Sequence, residues 1–267
     1  MNMTYIIAIA NQKGGVGKTT TAVNLSAGLA ARGYKTLLID LDQQRNATHS
    51  FELPEIEVTL ADVLTGEKKN LKYIVEAICE THIINLDLVP SNIRLALVEK
   101  QTSIGEQFRL KDALANLPDY DFVIIDCPPS LGATLAQALI AADYVLVPIA
   151  AEYYPLEGVG DLNETIAENK RINPDLKVLG YLMTRFDKRN SICKESVAKV
   201  KEMYGNLVFE PLIHTNVSLQ SAPAYKKSIY EHAPDSKGSE DYLFLTDEVL
   251  ERLSLATEAP SLKLVSK

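Results

Sequence analysis

The 267-residue chain has no tryptophan, only six phenylalanines and only three cysteines. Cys79, Cys127 and Cys193 are odd in number and far apart, which excludes a disulfide framework and any paired-cysteine metal site. The four histidines, His49, His82, His214 and His232, fall at no metal-binding spacing. No apolar run approaches the ~20 residues that a membrane-spanning helix needs. The opening MNMTYIIAIAN has neither the basic region nor the cleavage site of a secretion signal. A reduced, cytoplasmic chain is the expectation. Positive charge is also scarce. The 27 lysines and arginines against 35 acids leave a net charge of −8, which excludes a protein that is basic all over but not a local basic patch.

What is present is globular in composition, at 46% hydrophobic and 23% charged residues. A single α/β domain over residues 1–267 accounts for the length without a linker. Residues 18–32 carry Ala22, Val23, Leu25, Leu29 and Ala30 at helical spacing, with Gly33 as the stop. Apolar runs at 35–40, 85–90, 122–126, 144–149 and 176–183 predict buried parallel strands. Helices are predicted near 60–64, 110–117, 133–141, 156–171, 191–204 and 239–257. Alternating strands and helices imply a doubly wound, mostly parallel sheet with helices on both faces. Ligands then belong at the carboxyl ends of the strands.

The densest signal is QKGGVGKTT at 12–20, directly after the apolar run 5–10. A strand, a glycine-rich loop and a helix form the setting of a phosphate-binding P-loop, with ATP as the expected ligand. The backbone N–H groups of Gly14, Gly15, Val16, Gly17, Lys18, Thr19 and Thr20 can wrap a polyphosphate. Lys18 is placed to reach the β- and γ-phosphates and the Thr19 hydroxyl to hold Mg2+. Gln12 stands where the general pattern has glycine, and a second lysine, Lys13, opens the loop. Asp126 ends the strand 122–125, the expected position of a magnesium-associated carboxylate. Asp40 and Asp42 end another strand, two residues apart and so on one side of it. The plain alternative for these acids is a solvated strand end. Cys127 has no histidine partner motif and reads as packing beside the site.

The loop KGGVGKTT resembles the deviant Walker A loop of the ParA/MinD group of ATPases, and DCPP at 126–129 resembles that group's Walker B end. NVSLQSAPAYKKSIYEHAPDSKGSEDY, at 216–242, is similar to NVRLSEAPSxGKPIxxYDPxSxGAxxY of Soj-type partition proteins, so the likeness spans about 5–255. The resemblance implies that Lys13 crosses a dimer interface to the other subunit's nucleotide. It implies that Asp42 activates the attacking water and that Asp40 lies nearer magnesium. Met183 and Pro211 lie in segments that flank the adenine in the family. The family's DxDPQGN reads DLDQQRN here, with Gln43 for proline and Arg45 for glycine.

The implied function is a partitioning switch. ATP joins two subunits, the homodimer binds duplex DNA without sequence preference, and a ParB-like activator triggers hydrolysis and release from the nucleoid. The short form, with no helix-turn-helix before the loop, is the one resembled. Thr215 and Ser218 replace arginines that contribute to DNA binding in the family, so Lys188, Arg189, Lys194, Lys226 and Lys227 are the candidates here. Two other readings stay open: a relative that positions a protein cargo, and a MinD-like membrane switch. The second needs a basic amphipathic C-terminal helix, but 239–267 hold six acids against three basic residues. An iron–sulfur carrier like the nitrogenase iron protein needs paired cluster cysteines, which are missing.

Overall fold

Alternation along the strands divides the apolar side chains between two faces of one sheet. Ile7, Ile9, Leu38, Ile124 and Leu146 pack on one face, and Ala8, Leu37, Ile39, Val123 and Val145 on the other. Strands buried on both sides carry no polar face, which is why they read as continuous apolar runs. The computed structural model describes residues 4–65, 72–101 and 103–255.

In chain order the elements are β1 (Tyr5–Ile9), α1 (Lys18–Ala31), β2 (Thr36–Asp40), α2 (Asn46–His49), α3 (Leu60–Leu64), β3 (Cys79–Glu80), β4 (Leu86–Val89), α4 (Ile104–Gln107), α5 (Arg109–Leu114) and β5 (Phe122–Asp126). Then follow α6 (Ala133–Ala141), β6 (Tyr144–Ala150), α7 (Val159–Asn169), β7 (Lys177–Thr184), α8 (Ser191–Tyr204), α9 (Val217–Ser221), α10 (Ile229–His232) and α11 (Lys237–Arg252). The strand order is β3-β4-β2-β5-β1-β6-β7. Every pairing is parallel except that of β3 with β4. The doubly wound, mostly parallel sheet is therefore the architecture found. The expected helix 239–257 ends earlier, at Arg252, and its positions 256 and 257 lie outside the described residues. The two-residue β3 was not expected, and among the described residues no helix is long and apolar enough to cross a membrane.

α1 begins at the phosphate loop and is buried along nearly its whole length. One side lies on the sheet and the other is covered by the last quarter of the chain. The Thr21 hydroxyl meets the Tyr242 hydroxyl at 3.1 Å. The Ile229 amide donates to Asn24 Oδ1 at 2.8 Å. Gly28 sits where α1 crosses α11, and a Cβ there would collide with Thr246 Oγ1 and the Tyr230 hydroxyl. Parallel pairing then aligns the site: Ile9 and Asp40 are both register partners of Asp126, so three neighbouring strands end at one level.

Candidate active site

The loop between β1 and α1 holds its shape with internal bonds. Gly15 and Gly17 have φ of 74° and 91°, the left-handed region that glycine enters without steric penalty. Thr184, at the end of β7, donates its hydroxyl to the Val16 carbonyl at 2.7 Å. Asn11 donates to the Pro148 carbonyl at 2.7 Å and accepts the Lys13 amide at 2.9 Å. Lys18 folds over the loop and donates to the Lys13 carbonyl at 3.0 Å. Burial pulls its pKa down, while the nearby Asp126 opposes that shift.

Asp126 is fully buried, and neither carboxylate oxygen meets a hydrogen-bond partner in good geometry. Burial first, then the neighbouring Asp40, push its pKa well up, and the closeness of the Thr19 hydroxyl only partly offsets this. A buried carboxylate with two free oxygens beside a threonine hydroxyl and a lysine is suited to a divalent cation. Magnesium therefore fits Thr19 and Asp126. Cys127 is buried, and its thiol is pushed up by desolvation, as packing rather than nucleophilic chemistry requires.

Asp40, expected nearer magnesium, is bonded within its own loop. Its Oδ2 accepts the Thr48 amide and hydroxyl, both at 2.7 Å, and its Oδ1 accepts the Asp42 amide at 3.1 Å. Those bonds brace its own loop. Burial nevertheless pushes its pKa up to about 6 against the pull of those bonds. Ser91 completes the brace, accepting nothing from the acids but donating its hydroxyl to the Asp42 carbonyl at 2.7 Å and its amide to Thr48 Oγ1 at 2.9 Å. Asp42 itself is buried at the loop's start and accepts the Gln44 amide at 2.9 Å.

Lys13 points away from its own loop. Its amino group pairs with Glu152 Oε2 at 2.9 Å, and Arg185 pairs with Glu152 Oε1 at 3.0 Å. The segments carrying Met183 and Pro211, expected beside the adenine, run side by side, with the Phe186 amide on the Ile213 carbonyl at 3.0 Å. Met183 has no exposed surface and packs in the core, and its carbonyl accepts the Ile213 amide at 2.9 Å. Pro211 lines a hollow with Phe244, Asp247 and Glu248 of α11. The five DNA candidates are all exposed but divide between two places: Lys188, Arg189 and Lys194 at the start of α8, and Lys226 and Lys227 before α10. Arg189 is paired with Asp187 at 3.1 Å.

A family model described as an AAA domain matches residues 4–178. The chain is 42% identical over 253 residues to the sporulation initiation inhibitor protein Soj of Bacillus subtilis (strain 168), covering 92% of this chain and 98% of that one. It is 43% identical over 253 residues to the chromosome partitioning protein ParA of Myxococcus xanthus, covering 92% and 88%. This chain belongs to the ParA/Soj family of partitioning ATPases. The crystal structure of cobyrinic acid a,c-diamide synthase from Mycobacterium smegmatis with bound ADP and magnesium is similar at a TM-score of 0.80 and 35% identity, over 97% of this chain and 98% of that one.

Within the ParA/Soj loop, Arg45 has φ of 61°, so an arginine adopts the backbone that glycine takes freely. The turn still closes, with the Arg45 amide on the Asp42 carbonyl at 3.0 Å. The residues missed from the sequence are the supports: Thr48 and Ser91 behind the acid pair, Thr184 behind the loop, and Glu152 holding Lys13. Glu152 could have been found, since it lies just past the carboxyl end of a parallel strand, where ligands of such sheets bind.

Proposed function

We propose that this chain is an ATP-dependent switch that moves DNA: ATP with magnesium joins two copies face to face, the dimer holds duplex DNA without sequence preference, and hydrolysis stimulated by a ParB-like partner releases it. Relatives bear the names of chromosome partitioning proteins, and the similar mycobacterial structure holds ADP and magnesium. In this reading the amides of residues 14–20 hold the phosphates, and Lys18 exchanges the Lys13 carbonyl for the β- and γ-phosphates. Thr19 and Asp126 hold magnesium, which when bound offsets charge on the phosphate oxygens. Asp42 orients the attacking water and takes its proton. Asp40, gripped by Thr48, keeps Asp42 in place. Lys188, Arg189, Lys194, Lys226 and Lys227 supply the phosphate contacts, and the cargo is chromosome or plasmid DNA at the nucleoid.

The observation that carries the reading is the position of Lys13. A loop lysine that serves its own nucleotide has no reason to pair with Glu152 outside the loop. An exposed pair of this kind is worth about 0–1 kcal/mol and is easily exchanged for a polyphosphate across an interface. Light scattering with ATP tests it: the wild-type mass should double, while Lys13→Ala keeps ATP binding and stays monomeric. A Lys13→Ala chain that dimerises as well as wild type would remove the role in trans.

A further inference from the structure

The loop that carries the acid pair also carries a cation, Arg45, and a histidine, His49. Arg45 and His49 are exposed, and Asn46 and His49 line a hollow of about 270 Å³ whose opposite wall includes Lys227. Lys226 spans the same gap, its amino group donating to the His49 carbonyl at the end of α2. The two segments are 177 residues apart in sequence yet make one surface. Arg45 and Lys226 are both near enough to His49 to depress its pKa, after burial as the larger cause. No described carboxylate lies within ion-pair distance of Arg45, Lys226 or Lys227, whereas Arg189 and Lys201 each have one and Lys237 has two. On a chain of net charge −8, such cations without acidic partners form a local attraction for an anion.

We propose that Arg45, His49, Lys226 and Lys227 form one phosphate-contacting surface for duplex DNA. The proposal rests on the reading that this chain binds DNA, and it moves part of that interface onto the loop that holds Asp42. Thr20, Asn46 and Ser50 line the same hollow, with Val23, Leu219, Ala222 and Pro223 as its apolar part. That mixture of lysine, arginine, amide and hydroxyl groups suits phosphodiester oxygens. A membrane surface fits poorly, because an interfacial helix needs an exposed apolar face. α2 has four residues, and its Ala47 is turned inward.

The placement couples the two activities. Asp40 grips Thr48, the residue before His49, and Arg45 stands three positions after Asp42. Any rearrangement of this loop around the nucleotide shifts two of the four phosphate contacts. Seated DNA, in turn, resists that rearrangement.

The test measures equilibrium binding of a fluorescent duplex to wild type, Arg45→Gly and Lys227→Ala, with ATP, across a salt series. Arg45→Gly suits the left-handed backbone, so the fold is kept. Light scattering checks that each variant still dimerises with ATP. Both variants should bind more weakly on every sequence, with a log–log salt slope shallower by about 1 per subunit. Wild-type binding by both variants, alongside loss of binding in Lys188→Ala with Lys194→Ala, overturns this surface and leaves the DNA reading standing. A wild-type dimer that ignores duplex DNA at low salt overturns both. Capture of phosphatidylserine vesicles by wild type but not by Arg45→Gly, with no DNA effect, replaces DNA with a membrane and also overturns the proposal.

Discussion

Single residues in this site divide into those aimed at the ligand and those that hold the aimed ones still. In the proposed mechanism Asp42 is the first kind. Asp42→Ala should bind ATP and dimerise normally but hydrolyse it at least about a hundredfold more slowly, since a positioned base contributes that much. Turnover assays at saturating ATP check this. Asp40 is the second kind, and its pKa of about 6 gives a pH signature. An unfolded aspartate titrates near ~3.9, so the folded chain holds this proton more tightly. That contribution to stability is full below about 3.9 and is lost as pH rises through about 6. The stability advantage of wild type over Asp40→Asn should therefore shrink by about 1–2 kcal/mol between pH 5 and pH 7.5. Urea melts at the two pH values measure it, and an unchanged advantage would count against the shift. Phosphate-loop residues were legible because glycine, lysine and threonine serve local geometry there. The braces Thr48 and Ser91 were not, because their partners lie 8 and 49 residues away and nothing in their own neighbourhood marks them.

Elements were legible where burial gave them a period. β1, β2, β5, β6 and β7 announce themselves because both faces are covered, and α6 spans the predicted 133–141. β3 was not legible, because two residues carry no alternation and an edge strand needs no apolar run. The predicted helix 156–171 starts later, at Val159, because Gly158 takes φ of 77° and delays its first turn. α1 presents a sharper test of packing. Gly28→Ala gains helix propensity but drives a methyl group into Thr246 and Tyr230. Overpacking should outweigh propensity, giving a net loss of about 1–2 kcal/mol. A lowered Tm in Gly28→Ala, with ATP binding retained, is the expected result; a raised Tm would show that α11 yields at that crossing.

In the proposed dimer, the pairing of Lys13 with Glu152 sets a threshold for assembly. Both side chains are about one-third exposed, so water screens the pair. Glu152→Gln releases Lys13 and Arg185 together, and ATP-driven dimers should form at about two- to fivefold lower concentration. Sedimentation with ATP reads that shift, and no change would mean that the tether is idle. The cover over α1 has a consequence for how the protein is made. Thr21, Asn24 and Gly28 meet partners at 229–246, more than 200 residues later. At about 5–20 residues per second, those partners leave the ribosome roughly 10–40 s after the loop does. Until then the helix that anchors the loop has a bare side, with unpaired hydroxyl and amide groups facing water. A half-made chain therefore displays the phosphate-binding sequence without the scaffold that shapes it. The ribosome makes this loop first, and the fold completes it last.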